Sequence, residues 1–480
     1  MSHMEPLAAP PPSTQRPPSA YADAAGRAAA IARLHELFGE RVATGEAIRR
    51  QHANSLTWIG CEPPDAVVFA EATAEVAAVV AIAGEFRLPI IPFGAGTSLE
   101  GHVNAPFGGI SLDLSRMDRV LAINADDLDC RVEAGISRRR LAEELRASGL
   151  FFPVDPGTEQ ASLGGMAATR ASGTTAVRYG TMRDNVLSLT AVMADGSVVR
   201  TGSRARKSSS GYDLTRLLVG SEGTLGIITE LGLRLFGQPE TVIAAVAAFP
   251  TLSAASRTTM AAIAMGLGVA RIELLDPVLM RAVNAHAKLA LAEVPTLFME
   301  VHGTRAAAEE QMTLLTEIAR GEGAGAIEWS GDAEARSRLW RARHDALWAI
   351  RSAWPGLANL VTDVCVPISR LAEAIAATEA DREEIGLLAP IVGHVGDGNF
   401  HVLVLFDETR PEQLAAAKAF SERLAERAIA MDGTASGEHG IGQGKRQFMA
   451  REHGEALGVM AAIKAALDPH GLLNPGKVLP

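Results

Sequence analysis

Pro92-Phe93-Gly94-Ala95-Gly96-Thr97-Ser98-Leu99-Glu100-Gly101 follows a short apolar run and decides the reading of the first half of the chain. Residues 66–70 read as a strand, 73–86 as a helix capped by Thr73, and 88–92 as a second strand that runs straight into the glycines. A strand–helix–strand unit ending in Gly, Ser and Thr offers backbone N–H groups and hydroxyls to an anion, and suits a pyrophosphate. The same chemistry recurs at 156–173 (PGTEQASLGGMAATRASG) and 220–229 (GSEGTLGIIT). Three such loops in one region point to a shared ligand rather than to unrelated turns. After Gly94-Ala95-Gly96 the third glycine of GxGxxG is missing, and no GxxxxGK[ST] stretch occurs. The loops are therefore neither a Rossmann fingerprint nor an ATP-binding P-loop.

Working outward, 22–38 and 138–148 read as helices, and 110–114, 128–134 and 186–194 as strands. The pattern changes after Gly237-Gln238-Pro239. Strands at 242–249 and 297–302 are each followed by a helix, at 252–266 and 306–320, and a strand–helix series recurs over 391–430. This is an α+β pattern, a sheet covered by helices on one face, and the tail at 454–467 reads as a further helix. The second half also carries His394-Val395-Gly396-Asp397-Gly398-Asn399-Phe400-His401 and Gly437-Glu438-His439-Gly440. Two imidazoles and a carboxylate form a common catalytic set for a divalent metal, Zn2+ or Mn2+ with iron as a further alternative, with positions left open for substrate. His439 is then left over as a base.

Composition narrows the class. The 480 residues carry 45 basic and 56 acidic side chains, a net charge of −11, which argues against a nucleic-acid partner. Aromatics at 5% leave little for base stacking. Three well-separated cysteines make no disulfide framework and suit a reducing, cytoplasmic compartment. No apolar run approaches the roughly 18 residues of a membrane span, so membrane contact would be peripheral, at an inner membrane. The Pro-rich stretch 1–20 is expected to be disordered and outside the fold.

The three glycine loops resemble the flavin-binding segments of the vanillyl-alcohol-oxidase-type FAD family. The resemblance implies an α+β fold in which two small subdomains hold FAD beneath an α+β cap with an antiparallel sheet. It places the pyrophosphate on Gly94, Ala95, Gly96, Thr97 and Ser98. Pro156, Gly157, Thr158, Gly164, Gly165, Thr169, Ser172 and Gly173 would line the ring and ribityl chain. Glu222, Gly223 and Ile228 would lie near the adenosine side. The implied division is 21–238 for FAD, 239–445 for the cap and 446–480 for a segment returning to the FAD domain, with Asn474 at the cofactor. FAD is expected without a covalent bond; His102 is the one candidate for a link near the first loop.

GHVGDGNFH and GEHGIGQGKR resemble the C-terminal signature of FAD-linked D-2-hydroxyacid dehydrogenases, and TDVCVPISRL (362–371) and WRARH (340–344) resemble their cytochrome-type D-lactate branch. By that resemblance His394, His401 and Glu438 bind the metal and His439 is the catalytic base. Arg343 pairs with the substrate carboxylate, and Asn399 also meets substrate. Relatives that oxidise 2-hydroxyglutarate carry polar groups where Val361 and Leu403 stand, so a small or apolar substrate side chain is expected. D-2-hydroxyglutarate or glycolate is the alternative, and a metal-dependent hydrolase is the rival from another class, although it leaves the glycine loops unexplained. The family passes electrons to a cytochrome, a quinone or an electron-transfer flavoprotein, and a homodimer is compatible with the resemblance.

Overall fold

The computed structural model describes residues 17–53 and 57–480. Of the Pro-rich stretch expected to be disordered, 1–16 lie outside the described residues, and Pro18–Ala20 close a 3-10 turn. The strand–helix–strand unit sits in a four-stranded sheet. Ala66–Phe69 and Ile90–Phe93 both pair in parallel with Ile110–Asp113, and Val42–Ala43 adds an antiparallel edge. Helix Thr73–Phe86 contributes Val76, Val79, Val80 and Ala83 to the core beneath it. Thr73 is not its cap, as the sequence reading expected. Ala72 takes the extended cap position, and the Thr73 hydroxyl instead donates to Thr229 Oγ1 at 3.0 Å, tying the helix to the neighbouring sheet.

That neighbour is a five-stranded antiparallel sheet in the order Val120–Asn124, Asp129–Glu133, Ile227–Arg234, Val186–Val192, Val198–Arg200. Its central strand begins inside the third glycine segment, at Ile227. One apolar cluster joins both sheets, running from Val68 and Ile90 through Val132 to Leu189 and Leu231. Helix Ala456–Leu467 precedes a tail that returns to the first sheet. Leu473 bridges Ile90 in parallel, Ile90 N–H donates to Leu472 O at 2.8 Å, and Asn474 N–H donates to Ile90 O at 2.8 Å.

The second half folds around a large antiparallel sheet. Its order is Ile327–Ser330, Thr241–Ala248, Thr296–Gly303, Val269–Leu275, Ile391–Gly393, Asn399–Phe406, Ala358–Val361, and Val364–Cys365 also pairs with Asn399–Phe406. Side chains alternate between faces with period two. Ile272, Leu274, Leu297, Met299, Val301, Phe400, Val402 and Val404 pack into one core, beneath helices Leu252–Ala264, Arg305–Gly321, Leu371–Ile385 and Pro411–Ala430. The sequence reading expected helices on that face alone. A second core on the opposite face joins Phe298, Leu403 and Leu405 to helices Pro277–Ala287, Ala333–His344 and Ala346–Ala353. The same parity puts Arg271, Glu273, Glu300 and His401 on that second face, which positions the site.

Cys130 is buried and Cys365 half-buried, and burial pushes both thiols up to about 12; Cys61 is exposed. A thiol reagent at pH 8 should therefore titrate Cys61 rapidly in the native protein, and all three cysteines only after unfolding. Rapid labelling of three native thiols would contradict these positions.

Candidate active site

A cavity of about 470 Å3 runs between the glycine loops and the second face of the large sheet. At one end it is lined by 92–99, by Pro156, Gly157 and Thr158, by Gly164, Gly165, Thr169 and Ser172, and by Glu222, Gly223, Ile228 and Asn474. At the other end stand Arg343, His344, Val361, His394, His401, Leu403, Glu438 and His439. Two of the residues expected in the site are not in its wall. Gly173 lies behind it, where a Cβ would come 2.4 Å from Asp155 O. Asn399 is turned away: its amide nitrogen donates to Asp363 Oδ1 and to Val364 O, each at 2.8 Å. It therefore secures a neighbour of the site instead of reaching a substrate.

The loops abut closely. A Cβ at Gly94 would lie 2.1 Å from Ser162 Oγ, so only glycine lets the first loop approach the second. The Ser98 hydroxyl in this wall is buried without a protein partner. Leu114, Ala134, Ala161, Ile227 and Ile228 make the wall apolar beyond the glycines. A hydroxyl lacking an acceptor, loops that only glycine allows and an apolar wall fit a flavin dinucleotide. His102 is buried and lines the cavity, with Nε2 3.2 Å from Glu222 Oε2. Glu222 and Asn474 are both turned to protein. The Glu222 carboxylate accepts two backbone N–H groups, and the Asn474 amide donates to Glu222 O at 2.7 Å and His102 O at 3.4 Å.

The histidine–glutamate set converges. Glu438 Oε1 lies 3.2 Å from His394 Nε2 and 3.3 Å from His401 Nε2. Both outer ring nitrogens are occupied. His394 Nδ1 meets Glu273 at 2.8 and 3.0 Å, and His401 Nδ1 meets Thr362 O at 3.1 Å. An acceptor on the far nitrogen orients an imidazole to present the other one to a metal. Glu438 Oε2 is buried without a partner. Burial would push the Glu438 carboxyl up, but the imidazoles of His394 and His401 outweigh it and hold it well below the carboxylate range. This donor set fits a divalent ion.

His439 stacks on His401, ring centroids 5.0 Å apart and planes within 7°. Its Nε2 lies 3.9 Å from Glu438 Oε1, and its Nδ1 lies 3.9 Å from Glu100 and 4.0 Å from Asp363. Burial lowers its basicity, but Asp363 and Glu100 more than compensate and raise it above an ordinary imidazole. Arg343 is buried, with Nε 2.9 Å from Glu273 Oε2. One carboxylate, Glu273, thus orients both His394 and Arg343.

Sequence reasoning missed Glu273, Asp363, Glu100, Lys445 and Asp155. Glu273 is a lone acid in the apolar run 269–275, and that was its signal. Asp363 accepts from Ser436 Oγ, Glu438 N and His439 N, with Lys445 Nζ at 3.3 Å. Asp155 precedes the second glycine loop and is tied across to the large sheet, with Arg271 Nη2 at 3.2 Å.

Comparison with known proteins identifies the family. The FAD binding domain family matches residues 64–202, and the family described as FAD linked oxidases, C-terminal domain, matches residues 238–478. The chain belongs to the FAD-linked oxidases. The group within them is that of the D-2-hydroxyacid dehydrogenases, and this family member is an FAD-dependent oxidoreductase. It is 50% identical over 444 residues to a probable mitochondrial D-lactate dehydrogenase of Danio rerio, covering 92% of this chain and 89% of that one. It is 46% identical over 418 residues to the mitochondrial D-lactate dehydrogenase [cytochrome] of Arabidopsis thaliana, covering 87% and 74%. The fold matches 4-ethylphenol oxidase from Gulosibacter chungangensis with a TM-score of 0.79 at 20% identity, over 95% of this chain and 98% of that one. The vanillyl-alcohol-oxidase-type architecture expected from the loops is thus the observed one. No helix among the described residues is long and apolar enough to cross a membrane.

Asp155 gives this oxidase a pH-dependent tie. Burial would raise its carboxyl, but Arg271, His344 and the Thr174 hydroxyl hold it below the carboxylate range. A depressed folded value stabilises the fold above the unfolded value of about 3.9, and that contribution is lost as pH falls toward the folded one. Asp155→Asn should cost roughly 1–3 kcal/mol at pH 7, because the half-buried Arg271 loses one carboxylate and keeps only Glu300, at 3.7 Å. In urea unfolding the gap from wild type should narrow below about pH 4. An equal gap at both pH values would contradict the assignment.

Proposed function

We propose that the chain oxidises a small D-2-hydroxyacid, D-lactate foremost, to the 2-oxoacid. FAD is held without a covalent bond on the three glycine loops, and a divalent metal, Zn2+ or Mn2+, on His394, His401 and Glu438. The observation that carries this reading is the meeting, in one cavity, of the glycine loops with the imidazoles of His394, His401 and His439, the Glu438 carboxylate and the Arg343 guanidinium. When bound, FAD would supply the two-electron acceptor and the metal a Lewis acid that makes a hydroxyl acidic.

The chain's own residues supply the rest. Arg343, steadied by Glu273, pairs in this reading with the substrate carboxylate. His439 takes the hydroxyl proton at Nε2, the nitrogen on the Glu438 side, while Nδ1 faces Glu100 and Asp363. Val361 and Leu403 give the cavity an apolar wall that leaves a second substrate carboxylate without a partner. This favours a small or apolar side chain over 2-hydroxyglutarate. In the same reading 21–238 hold FAD, 239–445 form the cap with the metal site and 446–480 return to the FAD domain. The electron acceptor is a cytochrome, a quinone or an electron-transfer flavoprotein.

Anaerobic D-lactate should bleach the visible flavin band of the purified protein, and acid precipitation should leave the colour in the supernatant. Chelation should abolish bleaching while FAD stays bound. His439→Ala should keep FAD yet slow flavin reduction by roughly two to four orders of magnitude. Rapid reduction of a metal-free preparation would sink the metal assignment, and rapid reduction of His439→Ala the base.

The pocket makes a separate prediction. Val361→Lys combined with Leu403→Asn should shift preference from D-lactate toward 2-hydroxyglutarate, because the new ammonium meets the distal carboxylate. A wild-type protein that already prefers 2-hydroxyglutarate would overturn it.

A further inference from the structure

Glu438 and His439 sit on residues 436–444, which form neither helix nor strand. Asp363 fixes the first half of this loop through Ser436 Oγ, Glu438 N–H and His439 N–H. The second half is fixed from the other side of the cavity. Glu222 Oε1 accepts the Ile441 N–H at 2.6 Å, and Glu222 Oε2 accepts the Gly442 N–H at 2.8 Å. Glu222 belongs to the third glycine loop and is itself held in the left-handed region, at φ 54. Asn474, also left-handed at φ 40, secures it by donating to its carbonyl. Between the clasp and the catalytic pair lies Gly440, at φ 82, where a Cβ would come 2.7 Å from Glu222 Oε1 and 2.8 Å from His102 Nε2.

We propose that Glu222 is a positioning residue: its carboxylate, by gripping Ile441 and Gly442, aims Glu438 and His439 from the flavin side of the cavity. This replaces the cofactor contact expected from the sequence. It also means that the loop lining the flavin cavity and the loop carrying the metal and proton chemistry share one set of hydrogen bonds. The inference rests on the reading that Glu438 holds a metal and His439 takes a proton. Gln in place of Glu222 keeps the shape, but its amide nitrogen cannot accept, so one of the two N–H groups loses its partner. Gly440→Ala presses on the same clasp from the opposite side and leaves the carboxylate in place.

The test uses FAD-loaded wild type, Glu222→Gln and Gly440→Ala. Equilibrium dialysis against Mn2+, and in parallel Zn2+, reads metal affinity; stopped-flow mixing with D-lactate at saturating metal reads flavin reduction; gel filtration reads FAD retention. Both variants should retain FAD, bind metal roughly 10- to 100-fold more weakly and reduce flavin more slowly at saturating substrate. Folded variants with wild-type metal affinity and wild-type reduction would overturn the proposal. So would loss of FAD from Glu222→Gln, which would make the carboxylate a cofactor contact. If Glu222→Gln does not fold, Gly440→Ala decides by the same readings. A wild type that neither binds nor needs metal fails the functional reading itself, and unchanged flavin reduction in the variants then still overturns the clasp.

Discussion

Buried backbone N–H groups must find acceptors, and a loop has no ladder to provide them. Residues 436–444 meet this constraint with two enclosed carboxylates, Asp363 from the cap and Glu222 from the flavin region. Neither carboxylate can be neutral and serve. Burial works against their ionisation, but Lys445 and His439 outweigh it at Asp363, and His102 with the two N–H groups outweighs it at Glu222, so both stay below the ordinary carboxylate range. The irregular chain gains the rigidity that regular structure would otherwise supply, which a set of converging ligands requires.

The large sheet does the corresponding work for the other half of the site. Because period two sends alternate residues to opposite faces, one strand can fill a core and line a cavity at once. In Asn399–Phe406, Phe400, Val402, Val404 and Phe406 belong to the larger core, while His401 and Leu403 face the cavity. Val269–Leu275 repeats the device with Ile272 and Leu274 inward and Glu273 toward His394. The site is thus built on strands locked by packing on one face and by a charged network on the other.

What could be read in the sequence followed from this division. The glycine loops and the His/Glu segments announce themselves because their chemistry needs unusual residues close together in the chain. Their neighbours were less legible: Gly173 and Asn399 lie inside those motifs, yet the backbone turns them behind the wall, and motif membership carries no information about direction. Glu273 is the one acid of strand Val269–Leu275, and Asp363 stands in the two-residue break between strands Ala358–Val361 and Val364–Cys365; only the strand parity brings Glu273 to His394. Thr73 shows the usual one-residue uncertainty of a helix start. The helices on the second face escaped notice because their apolar stripe is shared with residues that line the cavity.

The tail has a consequence for how the protein is made. Residues 472–474 complete the hydrogen bonding of Ile90, and Asn474 fixes the carbonyls of His102 and Glu222. These residues are synthesised long after the strand they complete. The flavin cradle therefore closes only once residues 472–474 have been made, across a sequence separation that makes closure a slow, late event in folding. A chain cut before residue 472 would keep nearly all of both large cores and still lack a finished place for its cofactor.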